Sequence, residues 1–528
     1  MKGKLYNKTT TIYILLAVYS LVLLLFTTHS SPLFPFNGWN DINIFFTVGK
    51  GFVRGYVPYV DLIDHKGPFL FLLFGVASLI QKTGYLGLFL LQVIALTISS
   101  IYVFRIASLF IRRAEMSFLV AIICPLFLLL RSFEGGRAED FVLTMFTVSL
   151  YYFTLYFVND SASSKSGHVI CQGVLFAMVF MIKFNLVLFF LGFIIMIIFD
   201  LLQKREYRQL WRYIVLFLGG VGMVILPFLL YLLITGSFGA FYEVYFKISF
   251  IQASGVYETF WDRLVSSLYI TMISFRIRMG YTLTIALGFL FVLIKMRNEE
   301  EKKNGRGHGW FQSLKKQLKV YFTPYFIAYG LSFALLVFSI YIGGALLYSC
   351  IPISVFAIMG VIAICAWLEI VTEGEKISKV TKGVAVFSVL LILIMVKGAV
   401  FEPAFMHRQM PVQIKMAELI HQYASDGNPT LLQVDALDSG FYTASGIIPQ
   451  EPYFCTINVS YEQYPQLFDS LQEAVRQGRN EFVIIHTYNE HERPNEEYWR
   501  FADHYQHIAV LHGAGSVDTR WYHLYQRY

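Results

Sequence analysis

The sequence predicts an α-helical polytopic membrane protein of about 11 transmembrane helices, with a small extracytoplasmic α/β domain at its C-terminus. Three observations carry this expectation. Apolar stretches of about 20 residues recur through the first three quarters of the chain, each long enough to cross a bilayer as a helix. Only 15% of the 528 residues are charged and 56% are hydrophobic, whereas a soluble domain carries roughly 25% charged residues. Beyond about Phe401 the composition turns polar and mixed.

The expected spans are roughly 10–28, 85–107, 115–131, 139–158, 168–184, 186–203, 213–234, 280–296, 320–341, 346–369 and 382–401. The first apolar stretch, Thr11 to Phe26, follows Lys2, Lys4 and Lys8 as a signal peptide would. No convincing cleavage site follows it, so it is read as an uncleaved first helix. Fifty Phe and thirty-four Tyr suit large lipid-facing and interfacial surfaces.

The net charge of +7 sits in short loops, which makes it a topology signal rather than a nucleic-acid footprint. With the N-terminus in the cytoplasm, the cytoplasmic connections hold Arg112 and Arg113, Lys165, and then Lys204, Arg205, Arg208 and Arg212. The 297–319 loop follows, with Arg306, Lys315, Lys316 and Lys319 among its cations, and then Lys376, Lys379 and Lys382. An odd number of spans puts the C-terminal region outside. The chain is thus expected in the plasma membrane as a multi-pass protein.

Three external segments stand out. His29 to about Lys82 is too long for a turn, and its apolar piece Phe69–Ile80 is short for a span, so it is expected as a juxtamembrane or re-entrant helix. The others are the tight loop 131–140 and the aromatic-rich segment 235–279. The predicted domains are a transmembrane module over 1–401 and an extracytoplasmic α/β domain over 402–528. In the latter, Pro411 opens a helix closed by Gly427, a second helix runs from Pro465 to Gly478, and short strands are expected at 431–434, 482–485 and 508–511. Cys124, Cys171, Cys350, Cys365 and Cys455 form no CxxC pair or metal spacing; four lie in or beside apolar segments and read as packing residues, and Cys455 stands alone in the tail.

Chemistry concentrates in the first external segment: Trp39-Asn40-Asp41-Ile42-Asn43, Gly55-Tyr56-Val57-Pro58-Tyr59-Val60-Asp61 and Asp64-His65-Lys66-Gly67-Pro68. Asp41 reads either as a helix N-cap or as a general base at the interface, where partial desolvation raises a carboxyl pKa toward a useful range. Asp61 and Asp64 read either as turn formers around Pro58 and Pro68 or as site groups. By its residue type Lys66 reads as a snorkelling interfacial lysine. In Glu134-Gly135-Gly136-Arg137-Ala138-Glu139-Asp140, the acidic pair reads as complementing a helix dipole. Arg137 has the guanidinium fork that suits phosphate oxygens. Lys183, in Met181-Ile182-Lys183-Phe184-Asn185, is an ionisable group at the end of a span and therefore a functional candidate. Tyr245, Tyr257 and Trp261 either line a ligand path or form an aromatic belt.

These motifs resemble those of the GT-C superfamily of membrane glycosyltransferases. The likeness is nearest to bacterial family 39 enzymes, the protein mannosyltransferases and lipid A aminoarabinose transferases. It covers roughly residues 1–350 in pattern and is specific at 37–68. It implies a polyprenyl-phosphate-linked sugar donor and Asp41 as the base or acceptor-orienting group. It also implies Glu139 and Asp140 as the second-loop acidic pair. Asp61, Asp64, His65, Lys66, Arg137, Lys183, Asn185 and Tyr348 are expected around the substrates. Two departures exist: Gly67 stands where the family has a proline, and Ser349 occupies the region of a family histidine. The implied reaction is direct attack by an acceptor hydroxyl with inversion at the anomeric carbon. The acceptor would be an extracytoplasmic glycan, lipid or protein. No cofactor is demanded; a divalent metal on the carboxylates is possible but not implied, since nearby Lys and Arg side chains can supply the charge. The rival reading is a transporter or lipid-linked saccharide flippase, which would show repeat-related or broken spans and charges at mid-membrane depth.

Overall fold

The computed structural model describes residues 2–129, 135–158, 165–254, 259–277, 279–304, 323–343, 347–372, isolated positions between 379 and 397, and then 405–489, 492–513 and 519–528. Glu134, Tyr257, Arg278, Arg306, Lys315, Lys316, Lys319, Lys376 and much of the expected span 382–401 lie outside the described residues.

The chain is helical from its start. In order come α1 (Lys2–Thr27), α2 (Asn40–Phe52), α3 (Pro68–Ile80), α4 (Leu86–Ala107), α5 (Ala114–Leu129), α6 (Ala138–Val158), α7 (Ser166–Phe180), α8 (Leu188–Gln203) and α9 (Tyr207–Ile234). The segment after α9 runs through α10 (Phe238–Phe241), a π-helical stretch Tyr242–Ile248, and α11 (Ser249–Ser254). Then follow α12 (Phe260–Ile277), α13 (Met279–Asn304), α14 (Pro324–Gly343), a 3₁₀ stretch Leu347–Phe356 and α15 (Ala357–Val371).

Among the described residues, seven helices are long and apolar enough to cross a membrane. An eighth arises if Phe260–Ile277 and Gly280–Lys295, which meet at 98°, count as one span. The shorter apolar helices Ala114–Pro125 and Ser166–Phe180 fall where spans are expected, and Pro68–Ile80 is the short helix foreseen in the first loop. Pro68 opens that helix, where the missing N–H is harmless.

Burial sorts the helices. In α6 and in Tyr348–Val371, 72% of the apolar window is buried, against 17% in α9. The first two are central and α9 is peripheral, with Leu218, Met223 and Leu226 facing outward. The centre is aromatic: Phe146 stacks on Phe189 at 4.1 Å and Phe153 on Phe193 at 4.5 Å. Such offset pairs add to area burial.

From Phe405 onward the chain forms a helix-and-sheet layer with α16 (Val412–Tyr423), α17 (Phe441–Ser445), α18 (Pro465–Arg476) and α19 (Glu496–Trp499). Its strands are β1 (Leu431–Gln433), β2 (Phe482–Thr487), β3 (Tyr505–His512) and β4 (Trp521–Arg527), in the order β1-β2-β4-β3. β1 and β2 are parallel; the other pairs are antiparallel. The sequence reading lacks β4, which pairs with both β2 and β3 and buries Tyr522, Leu524 and Tyr525. The first helix ends at Tyr423, ahead of the expected Gly427. Cys455 is buried, and all five cysteines are free thiols.

This layer docks on α2. Thr47 donates to the Asp438 carboxylate at 2.7 Å, and the buried Lys50 ammonium donates to the carbonyls of Tyr442 and Ile447 at 2.7 and 2.8 Å. The Ile63 N–H adds a bond to the Pro452 carbonyl at 3.0 Å. The C-terminal layer and the first loop therefore share one side of the bundle.

Candidate active site

Asp41 lies in the first turn of α2, whose cap position is Trp39 and not Asp41. The cap reading is thus corrected: Asp41 sits one step inside the helix, where the dipole still favours a negative charge. The approach to this turn is fixed by Asn43, whose side-chain amide donates to the carbonyls of Asn37 and Trp39 at 3.1 and 3.0 Å. Tyr85 holds the other side of Asn43 through its hydroxyl. The Tyr85 hydroxyl also reaches the Asn37 carbonyl at 3.2 Å, so these buried polar groups satisfy one another.

The second wall is the turn 57–68. The Asp61 carboxylate accepts the Val57 N–H at 2.6 Å, and the Asp64 carboxylate accepts the Lys66 N–H at 3.2 Å. The buried Tyr59 hydroxyl donates to the Lys66 carbonyl at 2.8 Å. Gly67 then runs against 181–182: its N–H bonds the Ile182 carbonyl, and that of Phe69 bonds the Met181 carbonyl, both at 3.1 Å. A Cβ on residue 67 would stand 2.0 Å from the Met181 oxygen. This pairing explains the departure from proline noted in the sequence, since a proline has no N–H to donate. It also brings Lys66 to the same region as Lys183.

The third wall is the start of α6, entered through Gly135 and Gly136 at φ +62° and +84°, a region glycine enters freely. Asp140 accepts the Arg137 backbone N–H at 3.0 Å and so caps α6 itself. Glu139 points the other way and pairs with Lys183 at 2.8 Å, both largely buried. Arg137 stacks on Trp39 at 5.0 Å, and Lys183 lies 5.9 Å from the Tyr348 ring. Trp39 and Tyr348 meet edge to face at 6.3 Å.

Asp41, Asp64, His65, Lys66, Arg137, Glu139, Lys183 and Tyr348 thus converge. Lys66, Glu139, Asp64 and His65 all act electrostatically on Asp41. Burial pushes the Asp41 carboxyl above the ordinary carboxylate range; Lys66 pulls it back, and Glu139 and Asp64 add to the rise. Burial would also raise Asp64, but His65, Lys66 and the bonds they donate hold it below its usual value. Burial and the adjacent Lys66 lower His65, so its imidazole is neutral. Its Nε2 contacts the Lys66 ammonium and its Nδ1 lies 3.3 Å from Asp64. A neutral ring accepting from Lys66 carries its hydrogen on Nδ1, toward Asp64. Burial lowers the Lys66 ammonium, with Asp64 and Asp41 opposing the shift.

Three expected residues carry structural bonds. Asp61 closes its turn, Asp140 caps α6, and the Asn185 amide donates to the Ser339 carbonyl at 2.8 Å, tying the start of α8 to α14. Tyr245 is buried and bonds the Phe180 carbonyl, while Trp261 is 69% exposed as a belt residue would be. Sequence reasoning passed over Trp39, Asn43 and Tyr59 as site-building groups. The signal for Trp39 was its position two residues before Asp41; nothing in the sequence links it to Arg137. Among the described residues no three His, Cys, Asp or Glu side chains cluster as metal ligands would.

The crystal structure of ArnT from Cupriavidus metallidurans bound to undecaprenyl phosphate aligns over 98% of this chain and 97% of its own, with a TM-score of 0.56 and 12% identity. The apo ArnT structure aligns equally far at 0.54. The Archaeoglobus fulgidus oligosaccharyltransferase, in complex with Zn and sulfate, covers 90% of this chain and 67% of its own at 0.50 and 13% identity. At these identities the likeness is one of fold. No curated protein matches by sequence. The family model "Putative competence-induced protein Ccs4 N-terminal domain" matches residues 4–311, more than half of the chain, and the chain belongs to that family.

Proposed function

We propose that the protein is an integral membrane glycosyltransferase that moves a hexosyl or pentosyl group from a polyprenyl-phosphate donor to an extracytoplasmic acceptor. The observation that carries this reading is a half-buried carboxyl, Asp41, set among Lys66, Arg137 and the Lys183–Glu139 pair at one end of an apolar bundle. Undecaprenyl phosphate bound to ArnT, a neighbour of the same fold, supports a lipid phosphate as the donor group.

The acceptor hydroxyl oxygen attacks the anomeric carbon while the bond from that carbon to the phosphate oxygen breaks. Asp41 takes the hydroxyl proton, and its raised pKa makes it a better base than an exposed carboxylate. The electron pair leaves with the polyprenyl phosphate, whose charge meets Lys66, Arg137 and Lys183. A single displacement inverts the anomeric carbon. Neutral His65 orients the Lys66 ammonium between Asp64 and the site.

In this reading the protein lies in the plasma membrane with a cytoplasmic N-terminus, and Asp41, Glu139 and the C-terminal layer lie outside. Residues 402–528 form a domain that recognises the acceptor or closes over the site. A deletion of 405–528 that left the acceptor range unchanged would remove that role. The competing reading is a transporter or flippase, and the 98° bend between Phe260–Ile277 and Gly280–Lys295 is the observation on its side. Membranes carrying wild type or Asp41→Asn, supplied with labelled polyprenyl-phosphate sugar and acceptor, separate the two. The transferase reading expects a labelled acceptor product that Asp41→Asn loses by roughly 10²–10⁴-fold at unchanged expression. Movement of the lipid-linked sugar without an acceptor product would support transport instead.

A further inference from the structure

At the end of the bundle remote from Asp41 lies an apolar cavity of about 160 Å3 between α6, α7, α8 and α9. Its walls come from Tyr156, Gln172, Ile197, Leu201, Phe217 and Leu218 among others. Tyr156 is 17 positions beyond Glu139 on the same helix, which places the cavity roughly 25 Å along the axis from the acidic cluster. Leu218 is 59% exposed, so the outer wall borders the hydrocarbon directly. An apolar cavity near 150 Å3 takes a benzene-sized guest, hence about six carbons of a chain.

Cations surround its polar rim. Lys165 and Arg105 both act on His168, which lines the cavity. Arg212 donates to Ser166 at 2.5 Å, at the first turn of α7. Lys204 pairs with Asp200 at 2.8 Å, the carboxylate that also accepts from the Tyr156 hydroxyl at 2.8 Å. The Asp200 carboxylate is thus neutralised inside the rim; among the described residues Glu206, which also acts on Tyr156, stands against Lys165, Arg105 and Arg212, so positive charge is in excess. An apolar slot under a rim of positive charge matches a tail beneath an anionic headgroup.

We propose that this cavity binds one acyl chain of an anionic glycerophospholipid from the leaflet opposite Asp41, with its phosphate held by Lys165 and Arg212. The site stands independently of the transferase reading, because it shares no residue with the acidic cluster. A zwitterionic lipid would have the same tail but less attraction to the rim. Each cation near a membrane surface favours an anionic lipid by roughly fivefold.

Native mass spectrometry of the purified full-length protein, titrated with phosphatidylglycerol, phosphatidylcholine or polyprenyl phosphate, tests this. Wild type is expected to retain phosphatidylglycerol over phosphatidylcholine with one saturable site. Lys165→Gln with Arg212→Gln is expected to cut that preference roughly 25-fold. Ile197→Trp, which fills the cavity, is expected to abolish the saturable site while the protein elutes as a folded species in size-exclusion chromatography. Equal retention of both phospholipids would overturn the proposal. So would a phosphatidylglycerol site unaffected by Ile197→Trp, or one that polyprenyl phosphate displaces one for one.

Discussion

Gly67→Ala tests the backbone contact that joins the first loop to the end of α7. The new Cβ would meet the Met181 oxygen at 2.0 Å and its carbonyl carbon at 2.4 Å. Carbon–oxygen contacts settle near 3.3 Å or beyond, so the segment 66–69 must retreat by roughly 1.3 Å. That retreat takes two hydrogen bonds, each now 3.1 Å, out of range. Two such bonds contribute about 2 kcal/mol net, and forcing a methyl into a packed contact costs about 1–3 kcal/mol more. The expected destabilisation is roughly 3–5 kcal/mol. Lys66 is carried by the same segment, and a displacement near 1 Å can cost about 10²-fold in rate. Gly167→Ala is the control, because nothing lies within 4 Å of its Cβ position. The assays are thermal unfolding in detergent and sugar transfer from a polyprenyl-phosphate donor. If Gly67→Ala melted and turned over like Gly167→Ala, the backbone pairing of 67–69 with 181–182 would not position Lys66, and the reasoning would fail.

Other outcomes follow from the same geometry. Lys183→Met strands Glu139 in a buried position and should lower the melting temperature, by the equivalent of about 3 kcal/mol, while Lys183→Met with Glu139→Gln should recover most of that loss in the same melt. Asp41 must be ionised to accept a proton, and burial raises its pKa; transfer should therefore fall as pH drops through a midpoint above the ordinary carboxylate range, as a pH–rate profile would read. Burial raises Asp438 to about 6 and lowers Lys50 to about 7. A raised carboxyl stabilises the docked C-terminal layer below its unfolded value, and this contribution, on the order of 3 kcal/mol, is lost as pH climbs from about 4 to 6. A lowered ammonium contributes above its unfolded value and loses that contribution as pH falls toward 7, so protection of α2 in hydrogen exchange should be weakest near pH 6–7. Asp438→Asn should flatten the acid arm of that curve.

Much of the fold is legible in the sequence because bilayer insertion writes itself in composition. The positions of α4, α6, α8 and α9 follow from uncharged apolar runs, and α3 follows from a run too short to span. The exact number of spans does not, because length and hydropathy leave Ala114–Pro125 and Ser166–Phe180 ambiguous. The acidic site is partly legible: the motifs name Asp41, Lys66, Glu139 and Lys183, and these meet in space. Residue type alone gives Asp61, Asp64 and Asp140 the same standing; each accepts a backbone N–H, but Asp64 and Asp140 also lie beside the charged groups of the cluster. Such partners depend on local φ/ψ that sequence does not reveal. Trp39 under Arg137, and Asp438 on Thr47 across 391 positions of chain, are tertiary contacts with no periodic signal.

The most direct measurement separates binding from turnover in purified protein: polyprenyl-phosphate-sugar affinity and the acceptor-dependent release of free polyprenyl phosphate, for wild type and Asp41→Asn side by side. The account predicts that the variant still binds the donor, through Lys66, Arg137 and Lys183, but releases almost no polyprenyl phosphate. Release at the wild-type rate from Asp41→Asn would contradict it.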